Sequence, residues 1–194
     1  MSLRTLLIDL LARQSPEPAD PTGQKHAAVA LIMKEGQQGP EVLFIRRAEH
    51  ADDPWSGDVA FPGGRIEPDD QNACHAAERE VEEEIGLSLR TSQRLGQLKD
   101  IHGTYLPVRV SCFVYWLEDT PELEHNYEVV DSFWVPLQVL QNPHRNRPMR
   151  FTYRGHERSH PVIDLSGYCE KFLWGITYRL LLQLLEFIPD QKGC

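Results

Sequence analysis

Gly63-Gly64-Arg65-Ile66-Glu67-Pro68-Asp69-Asp70 leads into Ala76-Ala77-Glu78-Arg79-Glu80-Val81-Glu82-Glu83-Glu84-Ile85-Gly86-Leu87, and this stretch decides the fold. From Gln71 to Ile85 the pattern is helical and free of Gly and Pro, with Gly86 placed to stop it. At about 100° per residue Glu80, Glu83 and Glu84 share one face, while Cys74, Ala77, Val81 and Ile85 fill the adjacent apolar arc. Such a helix docks on a sheet and aims three carboxylates along its edge; Glu78 and Glu82 point elsewhere and are expected in solvent. Like charges within one turn repel in a bare helix, and most charge runs are merely solvated faces. Here a Gly-Gly loop, whose backbone can approach a ligand closely, precedes the run, and Arg79 stands beside it. Hard oxygen donors at this density suit Mg²⁺ or Mn²⁺, which bridge to phosphate groups.

Outward from the helix, strands are expected at His26–Met33, Glu41–Arg47 and Asp58–Phe61 before it. Leu95–Ile101, Val108–Leu117 and Ser132–Val135 are expected to follow it. Met149–Tyr153 and Pro161–Leu165 are set to pair around a polar Arg154–Ser159 turn. Leu3, Leu6, Leu7, Leu10 and Leu11 lie at helical spacing near the start, Gln14 to Lys25 with its three prolines forms a connector, and Glu170 to Phe187 closes the chain as a long amphipathic helix. Strands around one acidic helix, with helices at both ends, predict an α/β (α+β) class with a mixed sheet. The length of 194 residues suits one domain, 1–194, with 1–25 as N-terminal helix and connector.

Lys+Arg total 20 against 29 Asp+Glu, a formal charge of -9, which argues against nucleic acid or an anionic membrane as partner. A local basic pocket or a bound cation still permits a small phosphorylated ligand. The four cysteines form no CxxC pair, no apolar run approaches a membrane span, and Asp9 interrupts the N-terminal apolar stretch, so a cytoplasmic protein with reduced thiols is expected. Cys74 is expected to be a small core residue.

The central stretch resembles the signature of the Nudix hydrolases: Gly, five residues, Glu, seven residues, then Arg-Glu-apolar-x-Glu-Glu-x-Gly-apolar. Its second half is complete in Arg79, Glu80, Val81, Glu83, Glu84, Gly86 and Leu87. In the first half, counted from Gly64, Asp70 takes the glutamate position and eight residues separate it from Arg79. That extension, with Phe61-Pro62-Gly63-Gly64, is similar to the coenzyme A pyrophosphatase branch, as are Leu43-Phe44-Ile45-Arg46-Arg47-Ala48 and Trp174-Gly175-Ile176-Thr177. Asp52 departs from that branch, standing where it carries a further arginine.

The resemblance implies a Nudix fold, an α/β/α sandwich around a mixed sheet. It implies Mg²⁺ or Mn²⁺ held by Glu80, Glu83, Glu84 and the Gly64 carbonyl, with Arg79 orienting a carboxylate. It further implies hydrolysis of a pyrophosphate bond in a nucleoside-diphosphate-linked small molecule to two monophosphates. Coenzyme A or an acyl derivative leads; ADP-ribose, a nucleotide sugar or a nucleoside triphosphate is the alternative, and a catalytically silent nucleotide-sensing domain the minority one. The general base stays open between Glu83 and Glu128, which precedes Phe133-Trp134-Val135. A homodimer is compatible with all of this.

His156-Glu157-Arg158-Ser159-His160 matches a zinc-protease motif that works only on a helix, but Gly155 and Pro161 flank it, and a hairpin without zinc is expected. Arg145, Arg147, Arg150, Arg154 and Arg158 make this segment locally basic. They are either solvated or, with Arg47, Gly63 and Gly64, part of the phosphate-binding surface, for which Arg is well suited.

Overall fold

Two central parallel strands with near-continuous apolar runs build the molecule. The computed structural model describes residues 2–14, 25–49, 56–104, 107–153 and 155–188. Helix α1 (Leu3–Leu11) starts at Ser2, whose Oγ accepts from the Thr5 N–H at 3.2 Å. Strands β1 (Lys25–Gly36), β2 (Gly39–Arg47), β3 (Val59–Ala60) and β4 (Gly63–Arg65) precede helix α2 (Ala73–Ile85). Then come β5 (Gln93–Gln97), β6 (Ile101–His102), β7 (Val108–Leu117), β8 (Val129–Pro136) and the short helix α3 (Leu137–Leu140). A three-stranded sheet of β9 (Asn146–Tyr153), β10 (His156–Asp164) and β11 (Phe172–Leu173) precedes helix α4 (Gly175–Glu186).

The main sheet runs β3-β2-β1-β7-β5, with β4 on β1, β6 on β7 and β8 on β2. It is mixed: β1 and β7 are parallel from Lys25↔Val108 to Lys34↔Leu117, and the other pairs are antiparallel. On one face Leu31 and Met33 of β1 pack with Leu7 and Leu11 of α1 and with Leu180, Leu181 and Leu184 of α4. On the other, Ala28, Ala30 and Ile32 meet Ala76, Ala77, Val81 and Ile85 of α2. Alanines beneath α2 let the helix lie close to the sheet, which brings its acidic side level with β4. Strand β7, covered on both faces, is buried along its whole length, as a near-continuous apolar run requires. The α/β/α arrangement is thus the one the sequence predicts.

Several boundaries differ. Helix α2 starts at Ala73 rather than Gln71 because the Asn72 Oδ1 accepts the His75 N–H at 3.0 Å and caps the helix there. The last helix starts at Gly175 rather than Glu170, since Phe172 and Leu173 are drawn into pairing with Ile163 and Asp164. The expected 95–101 strand is two short ones, β5 and β6. The basic hairpin pairs up to Tyr153 and His156, well inside the turn expected at Arg154–Ser159; Arg154 itself lies outside the described residues. Among the described residues no helix is long and apolar enough to cross a membrane.

Candidate active site

With Ala77, Val81 and Ile85 turned into the sheet, Glu80 and Glu84 face β4. The Gly63 N–H donates to the Glu84 Oε2 at 2.8 Å, and the Arg47 Nη1 stands 3.6 Å from its Oε1. Glu84 is only 1% exposed. Burial pushes its carboxyl up to about 8, against the Gly63 N–H and Arg47 and with the repulsion of Glu80 and Glu128. Burial also raises Glu80, although Arg79 opposes it.

Both positions in β4 require glycine, for different reasons. Gly63 has φ +145°, and a Cβ there would collide with the Ala28 carbonyl and the Val29 backbone. A Cβ on Gly64 would fall into the Glu80 carboxylate. The Glu80 carboxylate thus occupies the place that a side chain on residue 64 would need.

Arg79 organises the rest. Its Nε and Nη2 donate to the two Asp70 oxygens at 3.0 Å each, and its Nη1 donates to Glu80 and Glu83 at 3.1 Å each. Nη2 also reaches the Arg65 carbonyl at 3.1 Å. The Asp70 side chain is 1% exposed, and its bonds from Arg79 hold it down to about 2, with help from the Glu67 N–H and His75. Asp70 thus fills the place that counting from Gly64 assigns to it, the extra residue notwithstanding.

Glu83 is 56% exposed and held only from one side, by Arg79. Glu128 enters from another element: the Ala48 N–H donates to its carbonyl at 2.7 Å, and its charge acts on both Glu80 and Glu84. The residue before it, Tyr127, is exposed, and Glu128 beside it pushes its phenol above the ordinary value. The loop is tied to the helix end, since the Glu124 N–H donates to the Ile85 carbonyl and the Asn126 N–H to the Glu84 carbonyl, each at 3.0 Å.

Among the described residues no three His, Cys, Asp or Glu side chains converge as a ready-made metal site, because Arg79 draws Glu80 and Glu83 toward itself. The donor set nonetheless fits a hard divalent cation. Glu84 is a buried carboxylate and Glu80 a half-buried one whose charge repels it, and the Glu80 carboxylate lies directly against the Gly64 backbone.

A family model for the NUDIX domain matches residues 24–154. The chain belongs to the Nudix family. The human mitochondrial coenzyme A diphosphatase NUDT8 is 31% identical over 190 residues, 94% of this chain and 76% of that protein. An uncharacterized Nudix hydrolase, NudL, of Yersinia enterocolitica is 30% identical over 177 residues, 89% of this chain and 87% of the relative. Among solved structures, a MutT/nudix family protein from Enterococcus faecalis aligns over 96% of this chain and 69% of its own with a TM-score of 0.56 at 15% identity, a likeness of fold alone. This Nudix protein is an enzyme of the pyrophosphohydrolase class.

Other residues of the Nudix chain fall differently from expectation. Glu78 is not solvated: the Tyr115 hydroxyl donates to its Oε1 at 2.7 Å. Cys74 is not a plain core residue but sits half-buried with the Arg94 Nη1 2.9 Å and the Tyr115 Oη 3.2 Å from its sulfur. Arg150 is exposed on β9, away from α2 in the second sheet. Arg145 donates to the Asp164 and Ser166 carbonyls at 2.8 and 3.0 Å, and Arg147 pairs with Asp164 at 3.2 Å, so these two serve the hairpin's own architecture. His156 and His160 lie along strand β10, with His160 buried against Phe151 and Trp174 at ring separations of 4.6 and 5.4 Å. Asp52 lies outside the described residues. Sequence reasoning missed Asp58, whose Oδ1 accepts from the Trp174 Nε1 at 3.0 Å and joins the second sheet to the strand beside Arg47.

Proposed function

We propose that this enzyme hydrolyses the diphosphate bridge of coenzyme A or an acyl-coenzyme A. The observation that carries the hydrolytic reading is the buried Glu84 carboxylate, fastened by the Gly63 N–H next to Glu80 and within the field of Glu128. The coenzyme A half of the proposal is supported by the 31% identity to a coenzyme A diphosphatase across 94% of the chain.

Glu80, Glu83, Glu84 and the Gly64 carbonyl would hold Mg²⁺ or Mn²⁺. When bound, the cation neutralises the diphosphate and lowers the pKa of a coordinated water. Arg79 is a positioning residue: locked on Asp70, it sets the rotamers of Glu80 and Glu83. Glu128 or Glu83 takes the proton of the attacking water, whose oxygen forms a bond to one phosphorus while the bridging P–O bond breaks toward the other phosphate. Two monophosphates leave. Arg47, 3.6 Å from Glu84, and the Gly63–Gly64 backbone would meet the bridge, and Arg150 is the candidate partner for a phosphate remote from it.

Product masses decide the proposal. Coenzyme A incubated with Mg²⁺ or Mn²⁺ in ¹⁸O-water should give an adenosine bisphosphate and phosphopantetheine, one of them carrying a single ¹⁸O. Removing the 3′-phosphate should cost roughly tenfold to a hundredfold in kcat/KM through loss of a charge-assisted contact, a difference that Arg150→Ala erases. Equal rates on both compounds, or a preference for ADP-ribose, would overturn the coenzyme A assignment.

A further inference from the structure

Trp174 lies between β11 and α4, where Gly175 at φ +66° turns the chain sharply into the helix. Its half-buried ring is held by other rings of the second sheet. Phe151 and Tyr153 of β9 stand 4.9 and 4.8 Å from it, centroid to centroid, and His160 of β10 stands 5.4 Å away. The interplanar angles of 86°, 75° and 67° are the T-shaped arrangement that aromatic pairs favour, so three contacts fix the plane of the indole. In that plane the Nε1–H donates to the Asp58 Oδ1 at 3.0 Å.

Asp58, the residue before β3, works from both its ends. Its carboxylate takes the bond from Trp174, and its main-chain carbonyl accepts the Arg47 N–H at 3.0 Å. Arg47 sits where such support counts, because β2 shifts register against β8 between Arg46 and Arg47 and the regular ladder ends there. The carbonyl of Asp58 on Arg47 and that of Glu128 on Ala48, at 2.7 Å, set the direction in which the Arg47 side chain leaves the strand. That direction brings its Nη1 to 3.6 Å from Glu84. A bond that merely joined the two sheets could fall anywhere along their contact; this one falls on the residue that holds the Arg47 main chain. We infer that Trp174 is a positioning residue, which through Asp58 fixes the Arg47 backbone and so aims its guanidinium at the diphosphate of the substrate. This rests on the diphosphatase reading above and gives the second sheet a part in it.

Methylenediphosphonate with Mg²⁺ is the probe, since it carries the charges of the bridge and is not cleaved there. Its binding is measured by calorimetry on wild type, Trp174→Phe, Asp58→Ala and Asp58→Asn, each alone and combined with Arg47→Ala, beside steady-state kinetics on coenzyme A. Trp174→Phe keeps an aromatic ring in the cluster and removes the donor; Asp58→Ala breaks the same bond from the other side and decides the matter if Trp174→Phe does not fold. Each should weaken probe binding and raise KM by roughly threefold to tenfold, a part of what one charge-assisted phosphate contact carries, with kcat within about twofold of wild type. Asp58→Asn, whose Oδ1 can still accept, should keep most of the affinity. In the Arg47→Ala background none of the three should cost anything further. Additive losses there overturn the inference, because the effect would then not pass through Arg47. Wild-type affinity in Asp58→Ala overturns it too, as does a loss in Asp58→Asn equal to that in Asp58→Ala, which would place the effect in the charge. Failure of the diphosphatase reading looks different: wild type cleaves no diphosphate with either metal, while probe binding still depends on Trp174 through Arg47.

Discussion

Replacing Asp70 by Asn keeps the shape of the side chain and removes one charge from the most heavily bonded carboxylate of the site. In the native protein Asp70 accepts two bonds from Arg79 and one from the Glu67 N–H, and its carboxyl is held at about 2 against an ordinary 3.8. A folded pKa below the unfolded one means that the unfolded chain binds the proton more tightly, so the carboxylate stabilises the fold fully above pH 4 and loses that effect as pH falls toward 2. The gap of nearly two units corresponds to roughly 2.5 kcal/mol at neutral pH, falling to about half of that at pH 3. Urea unfolding of wild type and Asp70→Asn at pH 7 and pH 3 should show the difference shrinking accordingly. Turnover should fall as well, because Arg79 then no longer holds Glu80 and Glu83 in a fixed arrangement; Asp70→Glu should recover part of both losses. A stability difference that stays the same at both pH values, or an Asp70→Asn protein as stable and as active as wild type, would refute the clamp.

Glu84→Gln should abolish most turnover yet stabilise the metal-free protein: burial raises this carboxyl to about 8, so native stability falls as pH rises from about 5 to 8, and matched melts across that range should show the slope in wild type and lose it in the variant. Gly64→Ala should fold normally, since no left-handed backbone is needed there, but cost more than tenfold in kcat/KM by displacing the Glu80 carboxylate; wild-type rates would sink the cleft assignment. Glu128→Gln should lower kcat more than it raises KM, and an unchanged kcat would transfer the base role to Glu83.

The helical period puts Glu80, Glu83 and Glu84 on one side, and the resemblance to the Nudix signature, counted from Gly64, singles out Asp70. Period fixes an angle around an axis, however, and says nothing about what lies over that angle. Glu84 is buried and Glu83 exposed because β4 covers one and not the other, and β4 is only Gly63–Arg65, too short to carry a pattern of its own. The Cys74–Glu78–Tyr115–Arg94 cluster draws on α2, β7 and β5, so no window of sequence contains it. Phe172 and Leu173 fit a helix by composition and became a strand only because β10 offered an open edge.

The two hydrogen bonds from Glu124 and Asn126 to the final carbonyls of α2 do more than finish a helix end. They make the last turn of α2 and the loop carrying Glu128 one cooperative unit, so that neither can open while the other stays closed. Amide protons of Glu124 and Asn126 should therefore exchange with deuterium at a common rate. Warming that frays this turn should silence the enzyme by parting Glu128 from Glu80 and Glu84 while the main sheet is still intact. Inactivation then precedes unfolding, and the interval between the two temperatures reports how firmly a pair of main-chain bonds keeps the cleft assembled.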